Sequence, residues 1–236
     1  MKPRAAILAF MMTFSLVTGC SGSSPKVVDQ LLNRRVASTR TQPYDSFSDL
    51  LPNHTYRMGE GPEFRISDVV VLGSFGAVAA GKAYSAEESP RGVEIDFYSS
   101  EAAWRTYHVQ IKVDKVLAGS LRGDAPTMGL ALGGDADMDG VTKDLRDLGK
   151  VVVLLRPSPV FDYAPGLLGS TEDGAFIGQV DASGRVTFPV LSKDEARSLA
   201  PDLTVDDITA AAAEPDVSVL LDASGSSVIS ERPAAG

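Results

Sequence analysis

Apolar and polar residues alternate strictly along a stretch near the middle of the chain. Between Tyr107 and Val113 every second residue is apolar, and the positions between them hold His108, Gln110 and Lys112. A period of two is that of a β-strand with one face in the core and the other in water. The pattern therefore predicts a half-buried strand over residues 106–117.

Continuous apolar runs elsewhere predict strands that are buried on both faces. Residues 68–80 include three consecutive valines, and Gly73 and Gly76 offer places where a long strand can bend. Shorter apolar runs predict a third strand over residues 128–132 and a fourth over residues 149–155.

A hairpin is predicted from residues 175–180 and 185–190, which flank a four-residue turn that ends in Gly184. Taken together, the strand patterns predict which side chains are buried. The predicted buried set comprises Val69, Val71, Val109, Ile111, Val113, Val152, Leu154 and Phe176.

Helical spacing occurs at both ends of the chain. Apolar residues in 26–40 recur on one helical face, which predicts a weak amphipathic helix. Residues 192–199 and 204–213 are predicted as helices, because each opens with a capping-box pair. These pairs are Ser192 with Glu195 and Thr204 with Asp207. Prolines and glycines break up residues 41–65, so no long element is expected there.

Strands without crossover helices between them, followed by helices, predict a mainly β fold with C-terminal helices. The expected architecture is a small antiparallel OB-like barrel. The predicted organisation is a signal peptide over residues 1–19, a tether with a weak helix over 20–65, a β-barrel core over 66–190, and helices with a loose tail over 191–236.

The end of the second predicted strand carries a motif, Val113-x-x-Val116-Leu117-x-Gly119. Together with the acidic, glycine-containing loop and the apolar run that follow, it resembles uncharacterised bacterial envelope proteins over about residues 66–190. The resemblance implies an OB-like barrel akin to netrin and tissue-inhibitor modules. The cysteines of the eukaryotic netrin modules are absent from this chain, and a shared fold transfers no activity.

The N-terminus has the layout of an export signal. Lys2 and Arg4 precede a mostly apolar run that ends at Cys20, which is the only cysteine. This run is shorter than the roughly 20 residues that a membrane-spanning helix needs. Val17-Thr18-Gly19-Cys20 resembles a bacterial lipobox. The resemblance implies cleavage before Cys20, a diacylglyceryl group on its sulfur, palmitate labelling, and attachment to the extracytoplasmic face of the cell membrane. The alternatives are an ordinary cleaved signal and a retained anchor.

The charge of the chain narrows the choice of partners. Lys and Arg number 22 against 31 Asp and Glu, which gives a formal charge of −9. Removal of residues 1–19 takes away Lys2 and Arg4 and no acid, so the mature chain carries −11. An acidic domain is repelled by nucleic acid and by anionic headgroups, so we expect no nucleic-acid partner. The protein would be held at the membrane through lipidated Cys20 rather than through a basic patch.

The sharpest local constellation of polar residues is Asp135-Ala-Asp137-Met-Asp139-Gly140. Carboxylates at alternate positions before a glycine can wrap a hard cation, so Asp135, Asp137 and Asp139 are candidate calcium ligands. The twelfth position of such a loop, where an EF-hand has glutamate, is Arg146. Calcium is therefore a possible cofactor, and a solvated acidic turn between strands is the alternative.

Other candidate chemistry is sparse, and no catalytic residue is assigned. His54 and His108 are the only histidines, and we expect both to be exposed. Four aromatic residues lie near the start of the second predicted strand. They either line a binding surface or pack at the edge of the core. This group comprises Phe97, Tyr98, Trp104 and Tyr107.

Because no nucleophile elbow or phosphate loop occurs in the sequence, we expect a binding or structural module rather than an enzyme. Its partner would be an envelope protein, a peptide or a glycan. The alternatives are a carboxylate-dependent enzyme, which needs two carboxyls held together in space, and a calcium-binding envelope protein.

Overall fold

The computed structural model describes residues 26–36, 44–86, 92–123, 125–157, 166–221 and 228–231. This part of the chain is mainly β, with twelve strands and four α-helices, which confirms the predicted class. The strands are β1 His54–Met58, β2 Glu63–Phe64, β3 Val69–Tyr84, β4 Glu94–Ile95, β5 Trp104–Gly119, β6 Thr127–Gly133, β7 Lys150–Pro157, β8 Leu167–Ser170, β9 Ile177–Val180, β10 Val186–Thr187, β11 Val217–Leu221 and β12 Val228–Glu231. The helices are α1 Lys26–Val36, α2 Met138–Asp147, α3 Lys193–Leu199 and α4 Val205–Ala212.

Eight strands form the larger sheet, in the order β10-β9-β7-β8-β6-β5-β3-β4. β7 pairs in addition with β3, from Val69 opposite Leu155 to Ser74 opposite Lys150. The pairings of β3 with β5, β5 with β6, β6 with β8 and β8 with β7 therefore lead back to β3. Among the described strands of this sheet, β6 and β8 are the one parallel pair.

The predicted periodicities account for the core of this sheet. Tyr107, Val109 and Ile111 on β5 are fully buried. Leu130 and Met128, the partners of Tyr107 and Val109 on β6, are 0–1% exposed. On β7 the whole run from Val151 to Leu155 is buried, as a continuous apolar strand requires. The predicted buried set is confirmed except at Val113, which is half-buried and packs against the core.

β3 is long and irregular, as its glycines predict. Its register against β5 shifts between Leu72 and Gly73 and again between Phe75 and Val78. A Cβ added at Gly73 would lie 2.2 Å from the carbonyl oxygen of Lys112, so only glycine allows the two backbones to approach this closely.

A second sheet, in the order β12-β11-β1-β2, joins the two ends of the described chain. β1 pairs in parallel with β11, from His54 opposite Val217 to Met58 opposite Leu221. Residues 44–64 lie within the segment predicted as a tether with a weak helix, and they contribute β1 and β2 to this sheet. The side chains that this part buries in the core are Tyr44, Phe47, Leu50, Leu51 and Tyr56. Their partners are distant in sequence, so no local pattern indicates the pairing.

The helices agree with prediction at three places and differ at one. α1, α3 and α4 lie where helical spacing places them, and both predicted capping boxes are formed. α2 was not expected, because the segment between the strands predicted over 128–132 and 149–155 was interpreted as an acidic loop. Val141 and Leu145, four residues apart, bury one face of α2. None of the described helices is long and apolar enough to cross a membrane.

Candidate functional site

The predicted lipid-attachment residue, Cys20, lies outside the described residues. The first described element, α1, begins at Lys26 and is folded onto the rest of the protein. Val27, Val28 and Leu31 are at most 5% exposed. The chain is therefore anchored to its own folded part six residues after Cys20.

The three predicted calcium ligands lie at the start of α2, and all three are exposed. Asp137 is the N-cap of α2, and its Oδ1 accepts a hydrogen bond from the Gly140 amide at 2.7 Å. Asp135 accepts from the Gln30 side chain at 3.2 Å, and Asp139 lies in the first turn of the helix. Among the described residues, no three histidine, cysteine or acidic side chains are grouped so as to hold a metal ion.

Two of the three, Asp135 and Asp137, line an open cleft of about 280 Å³ between α1 and the N-terminus of α2. Four aspartates border it, namely Asp29, Asp135, Asp137 and Asp144. Asp144 has a structural contact as well, since its Oδ2 accepts from the Val27 amide at 3.1 Å and so caps α1. The side chain of Gln30 accepts from the Gly133 amide at 3.0 Å while it donates to Asp135. The cleft is thus the seam along which α1 docks.

His54 is buried, contrary to the expectation that both histidines are exposed. It lies at the start of β1 with 9% exposure, and its Nε2 is 3.8 Å from a carboxylate oxygen of Asp49. Burial lowers the pKa of His54, although Asp49 and Glu214 favour the charged form. His108 is half-buried on the polar face of β5. His54 belongs to the second sheet, and no local pattern in the sequence indicates the pairing of β1 that buries it.

The buried side chain of Arg105 binds the backbone of two loops, one of which borders the cleft. Arg105 is 9% exposed, and its guanidinium donates only to backbone carbonyls among its recorded hydrogen bonds. Nε reaches Phe97 at 2.6 Å and one terminal nitrogen reaches Ser99 at 2.7 Å. The other terminal nitrogen donates to Gly134 and, at 3.5 Å, to Ala136. Arg105 therefore joins two loops that are distant in sequence.

We did not predict this role of Arg105, yet the sequence contains a signal for it. The inward positions of β5 are Tyr107, Val109 and Ile111, and the same parity places residue 105 inward as well. A charged side chain at an inward position needs a full set of hydrogen-bond partners. The alternation that predicts β5 thus also predicts that the cation at residue 105, the second residue of the strand, is buried.

The aromatic residues before β5 separate into buried and exposed members. Tyr107 is fully buried, its hydroxyl donates to the Ala136 carbonyl at 2.6 Å, and burial raises its pKa to about 12. Phe97 is half-buried and makes edge contacts with Tyr107 and Tyr98, at centroid distances of 5.5 and 5.1 Å. Tyr98 itself is 75% exposed. Trp104 stacks on Tyr84 across the strand pair, with centroids 4.0 Å apart.

We call residues 96–103 the aromatic loop and residues 134–137 the acidic loop. The two loops touch at Gly134, whose amide donates to the Ala103 carbonyl at 2.8 Å. A Cβ added at Gly134 would lie 1.6 Å from the carbonyl oxygen of Ala102. Glycine is required there because the two backbones are in direct contact.

With this geometry described, comparison with known proteins adds no relative. No protein-family model, no curated protein and no solved structure matches the chain. The function must therefore be argued from the residues themselves.

Proposed function

We propose that the chain is a lipid-anchored protein of the bacterial cell envelope, attached through Cys20 to the extracytoplasmic face of the membrane. Its folded part would be a binding or structural module for another envelope component rather than an enzyme. The observation that carries the proposal is the N-terminal sequence, in which the only cysteine ends an apolar run as Val17-Thr18-Gly19-Cys20.

The position of α1 gives this anchor a geometric consequence. Lys26 begins a helix whose buried residues Val27, Val28 and Leu31 hold it on the body. Six residues of fully extended chain reach about 20 Å. A lipidated Cys20 would therefore keep the start of α1 within about 20 Å of the bilayer surface. Two acyl chains suffice for stable attachment, since one alone holds only marginally.

We further propose that the larger sheet is an OB-like barrel. Support comes from the succession of pairings β3-β5-β6-β8-β7, which returns to β3. Support also comes from α2, which lies in the chain between β6 and β7 and packs against β3. OB-like barrels commonly bind ligands through strands and loops on one side, and this fits a binding role.

A binding role is also supported by the aromatic loop, because it holds an exposed tyrosine in a fixed position. Arg105 bonds the carbonyls on both sides of Tyr98, those of Phe97 and Ser99. Loops held by a rigid scaffold are where binding residues concentrate. The alternative, calcium binding by Asp135, Asp137 and Asp139, would use the acidic cleft, which Asp135 and Asp137 border and whose lining does not include Asp139.

The anchor is tested by metabolic labelling with palmitate and by detergent-phase partitioning of the full chain. We expect the wild type to carry the label and to enter the detergent phase. Cys20→Ala should lose the label and move to the soluble or precursor fraction, whereas Ser21→Ala, a control one residue away, should behave as the wild type. Labelling that survives Cys20→Ala would refute the anchor.

A further inference from the structure

Tyr98 combines high exposure with unusual restraint. The residue is 75% exposed, and no other large hydrophobic residue in the described part of the chain is recorded as more exposed. Its backbone is held on three sides. The Tyr98 amide donates to Asp96 Oδ1 at 2.8 Å, and Arg105 binds the carbonyls before and after it. A tyrosine that is already ordered loses little freedom when a partner packs on it.

The charged groups in and against the aromatic loop differ in exposure. The Arg105 guanidinium is buried and donates to backbone carbonyls, whereas the acidic side chains are exposed. Residues 92–103 contain Glu94, Asp96 and Glu101 and no lysine or arginine. Lys82 pairs with Glu94 at 3.0 Å, which offsets that charge. Asp96 and Glu101 are both exposed and lie on either side of Tyr98 in the sequence. An exposed aromatic ring on a loop that also carries two exposed carboxylates attracts cations, through the ring quadrupole and through charge pairing.

We propose that the aromatic loop docks a cationic segment of a partner polypeptide, with an arginine or lysine placed over the ring of Tyr98 and paired with Asp96 or Glu101. This inference rests on the proposed function, in which the chain is an envelope binding module, and it names the class of partner. Arginine suits the site better than lysine, because its planar guanidinium stacks on aromatic faces and binds carboxylates with two donors. Anionic partners are disfavoured by the same two carboxylates.

The test is fluorescence anisotropy of a labelled hexa-arginine peptide titrated with the full chain in detergent. We expect saturable binding that weakens as salt rises. Tyr98→Ala should weaken binding about tenfold, whereas Tyr98→Phe, which keeps the ring, should bind within about twofold of the wild type. Hexa-lysine should bind more weakly than hexa-arginine.

A charge-matched pair of variants separates the site from the overall acidity of the chain. Asp96→Asn with Glu101→Gln should weaken binding and flatten its salt dependence, and asparagine retains the acceptor for the Tyr98 amide. Glu60→Gln with Glu63→Gln removes the same charge from an exposed part of the second sheet and should leave the affinity within about twofold.

Equal weakening by the two double variants would overturn the proposal, because binding would then follow net charge alone. Absence of hexa-arginine binding to the wild type at about 1 mM peptide, which corresponds to about −4 kcal/mol, would also overturn it. So would Tyr98-dependent binding of chitohexaose in place of the peptide, which would indicate a glycan partner. These titrations do not depend on lipidation, so their failure leaves the anchor standing and failure of the anchor leaves them readable.

Discussion

The aromatic loop and the acidic loop share one arginine but use their side chains in opposite ways. In and around the acidic loop three carboxylates accept hydrogen bonds from within the protein. Asp137 caps α2, Asp144 caps α1 and Asp135 accepts from Gln30. The aromatic loop instead leaves its largest side chain, Tyr98, 75% exposed. A dense cluster of acids in a sequence can thus serve helix caps, whereas the recognition surface that we propose rests on a single exposed tyrosine on a restrained loop.

Loss of the shared arginine should disturb both loops at once and have the largest effect. Arg105→Met keeps the length of the side chain and removes every donor, so it leaves buried carbonyls unpaired. Each unpaired buried group costs about 1–3 kcal/mol, and we expect the free energy of unfolding to fall by about 3 kcal/mol or more. Urea denaturation measures it. Arg57→Met, at an exposed position of β1, should change stability by less than about 0.5 kcal/mol.

The contact between the loops at Gly134 can be broken from the backbone side. Gly134→Ala would place its Cβ 1.6 Å from the Ala102 carbonyl oxygen, so the loops must separate. We expect a loss of about 2–3 kcal/mol in the free energy of unfolding. Gly76→Ala is the control, since the nearest backbone atom to its Cβ is 3.4 Å away, and it should cost less than about 1 kcal/mol. Equal costs would contradict the tight contact at Gly134.

The structural use of the acidic loop predicts how Asp137 responds to substitution and to calcium. Asp137→Ala removes the N-cap of α2 and should cost about 1 kcal/mol with or without calcium. Asp139→Ala should cost less, because Asp139 has no capping bond. We expect the Tm to stay unchanged at about 10 mM calcium, above the range in which extracellular calcium modules bind. A calcium-dependent rise in Tm that Asp139→Asn abolishes would restore Asp135, Asp137 and Asp139 as ligands.

Lowering the pH should destabilise the protein through His54 in the second sheet rather than through the two loops. The pKa of His54 is lowered below its ordinary 6.5 by burial, so the unfolded chain binds this proton more readily than the folded one. The resulting loss of folding stability is absent above pH 6.5 and grows as the pH falls toward the folded-state pKa of His54. In urea denaturation at pH 7.5 and 5.5, we expect wild type to lose more stability than His54→Gln. Identical losses would contradict the buried histidine.

The sequence predicted those parts of the fold whose partners follow from local periodicity. The alternation on β5, the continuous valines of β7 and the capping boxes of α3 and α4 each gave elements that the structure confirms. The second sheet was not predicted, because β1 and β11 pair across more than 150 residues. α2 was not predicted either, because its acidic start resembles a cation-binding loop and Val141 and Leu145 are its only fully buried side chains.

The candidate site divides in the same way. The aromatic group before β5 was found in the sequence, but its division into a buried Tyr107 and an exposed Tyr98 depends on the path of the loop that Arg105 holds. That path is held by hydrogen bonds from Arg105 to the backbone carbonyls of residues 97, 99, 134 and 136. Every residue has such a carbonyl, so the sequence does not show which ones Arg105 binds. The anchor remains a prediction from residues 17–20.

The central claim is that the aromatic loop is the recognition surface, and site-specific photo-crosslinking in living cells tests it most directly. p-Benzoylphenylalanine would replace either Tyr98 or Met58, a residue of the second sheet that is 51% exposed. We expect a discrete adduct from position 98 and none from position 58, with lysine or arginine in the crosslinked partner peptide. Adducts of equal yield at both positions, or an adduct at position 58 alone, would contradict the account.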